Sequence, residues 1–337
     1  MNTRRFFDLD MSVIKSLVEQ RIGDKRYDEE LWRFEYRRFR YLKNISGAEL
    51  HARLRAIEFN LIYLLSAARD AVPEAAAFIS SWWWLKKRVQ TIAEYETRHL
   101  TPPILSCEAS VTTHPPFIPK HPNASTFAVR YGERWWLEPM LHQGKVRIAP
   151  ASSYDDEALA DAQKDNELSK PHYSPGRQVQ ITAEDGRVIP VIGDVEYVRP
   201  TRANYYVLCA ANEFDSRLFE LFTNAAGAPA DACVVIWDMD TFAERLERAA
   251  RSELESWFFH HNPVQYFDPR HIEPRQHVDA GMSKDFAYAY QREYRFLWMP
   301  LKGEAAQAHI SLDLGSLADI AGLFATDGSC IAGRASA

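Results

Sequence analysis

The chain reads as an α+β protein: a helical N-terminal domain followed by a module built on a mixed or antiparallel sheet. Three observations predict this. Residues 1–100 carry apolar side chains at three-and-four spacing, the period of helices. Residues 101–125 form a proline-rich connector, with Pro102, Pro103, Pro115, Pro116, Pro119 and Pro122; each proline removes a backbone donor and fixes φ, so an extended path is expected. Residues 126–330 alternate short strands with short helices and irregular loops, which suits an α+β sheet better than a doubly wound one.

The helical elements come first. Met11, Ile14, Leu17 and Val18 set the first helical rhythm. Asp28, Glu29 and Glu30 open a second helix, with negative charge where a helix N-terminus favours it; Leu31, Phe34 and Phe39 are its expected apolar stripe. Ser46 followed by Glu49 has capping-box spacing and opens a third helix through Leu54, Ile57, Leu61 and Leu65. Pro73 suits the first turn of a fourth, which contains Trp82-Trp83-Trp84. Three consecutive indoles cannot share one helix face, and an internal interface is their expected place.

In the module, strands are expected at Thr126–Tyr131, Lys145–Ala149, Tyr205–Ala210, Cys233–Trp237, Val264–Phe267, Tyr288–Trp298 and Ala308–Leu312. Gln178–Ala183 and Val188–Ile192 flank an Asp185-Gly186 hairpin tip. Helices are expected at Glu133–His142, Asp155–Leu168, Ser216–Phe222 and Asp240–Arg251, the last capped by Asp240. Residues 327–337 read as frayed.

Composition narrows the function classes. The four cysteines (Cys107, Cys209, Cys233 and Cys330) show no C-x-x-C pair, so neither a disulfide framework nor a zinc knuckle is expected. No apolar run approaches the ~18–20 residues of a membrane span, and no signal peptide is evident, which makes cytoplasmic the expected location. Net charge is −6. Residues 1–100 hold 18 Lys/Arg and 14 Asp/Glu, hence +4, which leaves −10 for the remainder. The positive part is either a solvated helical surface or a face for an acidic partner.

No phosphate-loop, dinucleotide, nucleophile-elbow or zincin motif is present. His260, His261, His271 and His277 cluster in a proline-containing segment and are read as loop residues without metal-ligand spacing. The strongest local signal is Gln291-Arg292-Glu293-Tyr294-Arg295. On a strand Gln291, Glu293 and Arg295 share a face. That is either a grip for a sugar hydroxyl or a wet face laced by Glu–Arg pairs. Arg130, on an early strand beside Tyr131, suits an anion or a surface acid. Ser152, Ser153 and Tyr154 follow a strand and would shape a pocket or simply make a turn. Asp155, Asp156, Asp165 and Glu167 offer a metal-dependent nuclease reading, or plain helix capping.

The order of Arg130, the serines Ser152 and Ser153, and Gln291-x-Glu293 resembles the Arg–Ser–Glu class of ADP-ribosyltransferases, and Tyr154 resembles the His–Tyr–Glu class. The resemblance implies an NAD-using transferase fold. Arg130 and Tyr131 would anchor NAD, with Ser152, Ser153 and Tyr154 lining the nicotinamide pocket. Glu293 would be the catalytic carboxylate and Gln291 would help select a protein or nucleic-acid acceptor. It further implies an effector or toxin, of the kind used in antiphage defence, with a neutralising partner bound through the helical region. Arg130-Tyr131, Ser153-Tyr154-Asp155-Asp156, Tyr206–Cys209 and Lys284–Arg295 are also similar to the bacterial DUF2971 family, over residues 126–300. A non-enzymatic interaction module is the alternative, with the Trp-containing helices as its recognition face.

Overall fold

The computed structural model describes residues 5–7, 29–66, 81–103, 107–109, 127–159, 162–224, 226–271, 278–303 and 305–333. The expected helix around Met11–Val18 lies outside these residues, as do the expected start of the fourth helix at Pro73 and most of the connector. Cys107–Ala109 pairs with Arg5–Phe7 in a small antiparallel sheet.

Three helices open the described chain: α1 (Glu29–Phe39), α2 (Gly47–Ser66) and α3 (Ser81–Thr97). The capping box at α2 forms reciprocally: the Ser46 N–H donates to Glu49 Oε2 at 2.8 Å, and the Glu49 N–H donates to Ser46 Oγ at 3.1 Å. Leu50, Leu54, Ile57 and Leu61 are buried at the expected helical spacing. On α1 the buried face differs from the expected one. Trp32 and Tyr36 are buried, while Leu31, Phe34 and Phe39 are exposed. Tertiary partners explain this: the Tyr36 hydroxyl donates to the buried Glu94 carboxylate of α3, which also accepts Arg40 at 3.0 Å and Arg98 at 2.6 Å.

The module is built on a nine-stranded sheet. Its main path uses seven of the strands β1 (Ala128–Gly132), β2 (Lys145–Pro150), β5 (Tyr206–Ala211), β6 (Ala232–Ile236), β7 (Trp257–Pro263), β10 (Glu293–Pro300), β11 (Ile310–Asp313), β12 (Ala321–Ala325) and β13 (Cys330–Gly333), in the order β7-β10-β5-β1-β6-β12-β13, with every pair antiparallel. β2 also pairs β5, and β11 pairs β2. A ribbon of β3 (Ser169–Pro175) with β4 (Asp194–Pro200) and a short parallel pair, β8 (Gln265–Phe267) with β9 (Ser283–Asp285), complete it. Among the described residues no helix is long and apolar enough to cross a membrane.

Period-two alternation divides the sheet's two faces. Ala232, Val234 and Ile236 of β6 join Tyr294, Phe296 and Trp298 of β10 in the largest core cluster. Helices α4 (Arg134–Gln143) and α5 (Met239–Ala250) cover that face with Leu137, Met140 and Leu141, and with Phe242 and Leu246. The opposite face carries Val129, Tyr131, Cys233 and Val235. The cap of α5 is Asp238, two residues before the expected Asp240: it accepts the Thr241 N–H at 3.0 Å.

The helical region and the module share a core. Trp32, Ile57, Leu61, Trp84 and Val89 pack with Val264, Tyr266, Phe286 and Ala289. Trp83 and Trp84 meet the Phe286 ring edge-on at 5.8 and 5.6 Å, so these two indoles lie at an internal interface.

Four further elements depart from expectation. The described residues of 155–168 form turns and irregular backbone rather than a helix, because Asp165 and Glu167 are drawn onto the buried cations Lys170 and Arg295. His260 and His261 lie on the edge strand β7, paired with Leu297 and Phe296, not in a loop. The C-terminal stretch contains β13 instead of fraying throughout. Finally, Tyr288–Trp298 is not one strand. A 3₁₀ helix covers Phe286–Gln291, Arg292 takes a left-handed conformation (φ 46°), and β10 begins at Glu293.

Candidate functional site

Strand β5 splits the sheet along one edge. At its C-terminal end Ala211 pairs with Val129 of β1, and at its N-terminal end Tyr206 and Val207 pair with Pro150 and Ala149 of β2. Between them the edge at Leu208–Ala210 meets no strand. The Arg130 guanidinium reaches across instead and donates to the Cys209 carbonyl. A cavity of about 180 Å³ lies over this split.

The cavity brings together Arg130, Tyr131, Tyr154, Gln291 and Glu293 from the residues singled out in the sequence. Ser152 and Ser153 are not among its lining residues. Both are exposed in the turn after β2, where Ser153 Oγ donates to the Pro150 carbonyl at 2.7 Å and Ser152 Oγ accepts from Asn204 at 2.8 Å. Tyr131 lines the cavity with its ring, but its hydroxyl accepts the Asp215 N–H at 2.7 Å. Gln291 does not share a strand face with Glu293. It enters from the end of the 3₁₀ helix, and the turn at Arg292 is held by Glu213 at 2.8 Å.

Glu293 sits in a buried network of three carboxylates and three cations. Its Oε1 accepts Arg295 Nε at 2.5 Å and its Oε2 accepts Lys284 Nζ at 2.8 Å. Arg295 also binds Glu167 at 2.6 Å and the Gly281 carbonyl at 2.7 Å. Lys170 pairs Asp165 at 2.7 Å and Glu167 at 3.5 Å. Lys284 also donates to Gln291 Oε1 at 3.0 Å, and the Gln291 amide donates to the Ala162 carbonyl at 2.5 Å. Burial alone would raise the Glu293 carboxyl, but the Arg295 and Lys284 charges outweigh it and hold the group well below the usual carboxylate range. Burial prevails at Glu167, which is shifted up despite Arg295 and Lys170. Burial also pushes the Cys209 thiol far up, leaving it protonated and a poor nucleophile.

Arg130 stands outside this neutral network. It has no carboxylate partner among the described residues; its charge lies 5.5 Å from the centre of the Trp136 ring, and its buried Nε makes no hydrogen bond. The hydroxyl of Tyr154 likewise has no hydrogen-bond partner among the described residues, and burial raises its pKa. The cavity therefore offers a cation without a carboxylate partner among the described residues, aromatic walls and a carboxylate whose ionised form Arg295 and Lys284 favour.

Trp136 reaches its place only because residue 132 has no side chain. A Cβ on Gly132 would fall 2.0 Å from the indole. Gly132→Ala is therefore expected to displace the ring and to cost about 1–3 kcal/mol of stability, as overpacking does; urea denaturation measures it.

The nuclease set does not assemble. Asp155 and Asp156 are exposed, whereas Asp165 and Glu167 are committed to Lys170 and Arg295. No group of three or more metal-ligating side chains occurs among the described residues. Arg295 pairs with Glu293 on the strand face that their spacing predicts, whereas nothing local marks Lys170 and Lys284 as partners. The available signal was a charge inside the apolar run Tyr294–Met299, which demands a buried counter-charge. In comparisons with known proteins the chain matches no family model, no curated protein and no solved structure.

Proposed function

We propose that the module is an ADP-ribosyltransferase-like enzyme that binds NAD over the split in the sheet and transfers ADP-ribose to a protein or nucleic-acid acceptor. The observation that carries this reading is the convergence of Arg130, Tyr154, Gln291 and Glu293 on one cavity. NAD demands opposite electrostatics at its two ends. Its pyrophosphate is anionic, and the unpaired Arg130 supplies a cation. The nicotinamide ribose develops positive charge as the glycosidic bond breaks, and Glu293 supplies a fixed negative charge. The C1′–N bond electrons leave with neutral nicotinamide, the acceptor's lone pair forms the new bond at C1′, and the acceptor loses its proton. At about 180 Å³ the cavity is below the ~300 Å³ lower bound of small-molecule pockets, so it encloses one end of NAD, with the rest lying toward Trp136 and the open rim.

Glu293→Gln is expected to reduce nicotinamide release from NAD by about 10²–10³-fold, the scale of losing one transition-state charge contact. Arg130→Met, which breaks no ion pair and removes the hydrogen bond to the Cys209 carbonyl, serves as the second variant and should raise KM for NAD while costing about 1 kcal/mol of stability. Wild-type protein that neither shifts its melting temperature with millimolar NAD nor releases nicotinamide would end this reading. One observation favours a second reading, a non-enzymatic interaction module: both oxygens of Glu293 are already engaged by Arg295 and Lys284. That module would show no response to NAD in either assay.

A further inference from the structure

A second cavity, of about 320 Å³, lies where α2 meets the module. Its walls are largely carbon, from Ile45, Ala52, Pro171, Pro269 and Phe286. Its charged rim is almost fully paired. Arg270 binds Glu49 at 2.7 Å and Asp194 at 3.5 Å, and stacks 3.7 Å over the Tyr173 ring. Arg53 grips Asp268 with two hydrogen bonds, at 2.9 and 2.7 Å, and Lys87 reaches the same carboxylate at 2.9 Å. Asp285 is the exception. Among the described residues its carboxylate accepts one hydrogen bond, from the Ala287 N–H at 2.8 Å, and joins no ion pair. Among the described residues, the lining carboxylates Glu49 and Asp285 and the adjoining Asp194 and Asp268 thus meet three cations, Arg53, Lys87 and Arg270, and one negative charge is left over.

We propose that this cavity binds a small organic monocation, an alkylammonium or alkylguanidinium, with Asp285 as its counter-charge and Phe286, Ile45 and the two prolines around its carbon chain. The proposal is independent of the NAD reading: it needs only the cavity and its unmatched carboxylate. The carbon walls favour an organic cation over a metal ion, which would require several converging oxygens. The volume sits at the small end of ligand pockets, about 300–1,000 Å³.

A proton fills the role of the missing cation when the cavity is empty. Burial pushes the Asp285 carboxyl up to about 7; neighbouring Asp268 and Asp165 add to the rise, whereas Arg53 and the Ala287 N–H oppose it. The other charged and titratable side chains lining the cavity are Glu49, Arg270 and Tyr173; Lys87 lies behind them on Asp268 and is hydrogen-bonded to His271 at 2.8 Å. Entry of a cation restores the carboxylate and expels its proton.

The test is calorimetric titration of the full chain with butylguanidine, butylamine and the neutral isostere butanol, each at pH 7 in two buffers of different ionisation enthalpy. Saturable binding of at least one cation is expected, with about half a proton released per cation bound. Butanol should give no saturable heat. Asp285→Asn keeps an acceptor for the Ala287 N–H and removes the charge, so it should melt normally and bind the cation at least about tenfold more weakly, a difference of about 1.4 kcal/mol. Equal affinity in Asp285→Asn, equal binding of butanol, or no saturable heat with either cation up to about 50 mM, where binding would be too weak to matter, overturns the proposal.

Discussion

Asp268→Asn is expected to destabilise the protein by about 3–5 kcal/mol, the range for a buried ion pair that loses one partner. Asp268 is fully buried, and it is the shared counter-ion of Arg53 on α2 and Lys87 on α3. Both cations are buried as well, so removing one negative charge takes from both the carboxylate that they share. The amide retains an acceptor but cannot neutralise them. Because the node joins the helices to the module, the loss should appear as a lowered midpoint of a single urea transition. The sign of the pH dependence follows from the same site. Burial would raise the Asp268 carboxyl, but Arg53 and Lys87 depress it strongly. Its contribution is therefore complete above the ordinary carboxylate pKa, about 3.9, and declines as pH falls toward the depressed value. The gap between wild type and Asp268→Asn should be widest above pH 4 and narrow in strong acid.

Arg295→Met is the second large effect, again about 3–5 kcal/mol. Arg295 has no exposed surface, and its fork joins Glu293, Glu167 and the Gly281 carbonyl. Methionine fills similar volume but leaves two buried carboxylates with only Lys284 and Lys170. Arg295→Lys should recover little, since one ammonium cannot span both acids with the planar geometry of a guanidinium. Adding Glu167→Gln to Arg295→Met should restore part of the loss, because it removes one of the stranded charges. Non-additivity in that double-mutant cycle is the measurement. The Glu293 carboxyl should also move up, since Arg295 is the foremost charge holding it down.

How far the sequence revealed this depended on whether a signal was local. The capping box at Ser46 and Glu49, the continuous apolar run of β5 and the short helix ended by Gly144 were readable because neighbouring residues alone determine them. The α1 stripe was not, because Glu94, distant in sequence, chooses Tyr36 over Phe34 for burial. The approach of Gln291 to the site was misread for a different reason. A left-handed turn usually advertises itself with glycine, and here an arginine occupies it, held by Glu213 from another loop. The site's acidic and aromatic members, Glu293 and Tyr154, stood out as residue types. The lysines of the network, Lys284 on Glu293 and Lys170 on Asp165, did not, because only the folded chain makes those pairs.

The split beside β5 has a consequence for anything that enters it. A backbone carbonyl that would ordinarily receive an N–H from a neighbouring strand receives one from the Arg130 side chain. Arg130 thus acts as a one-residue surrogate strand, and the sheet's continuity at Cys209 depends on a rotamer. An anion that uses the remaining guanidinium donors adds to this bond and stiffens the seam. An anion that captures the donor facing Cys209 must first offset about 1 kcal/mol of lost hydrogen bonding. Ligands of equal charge would then be sorted by the direction from which they approach the guanidinium plane.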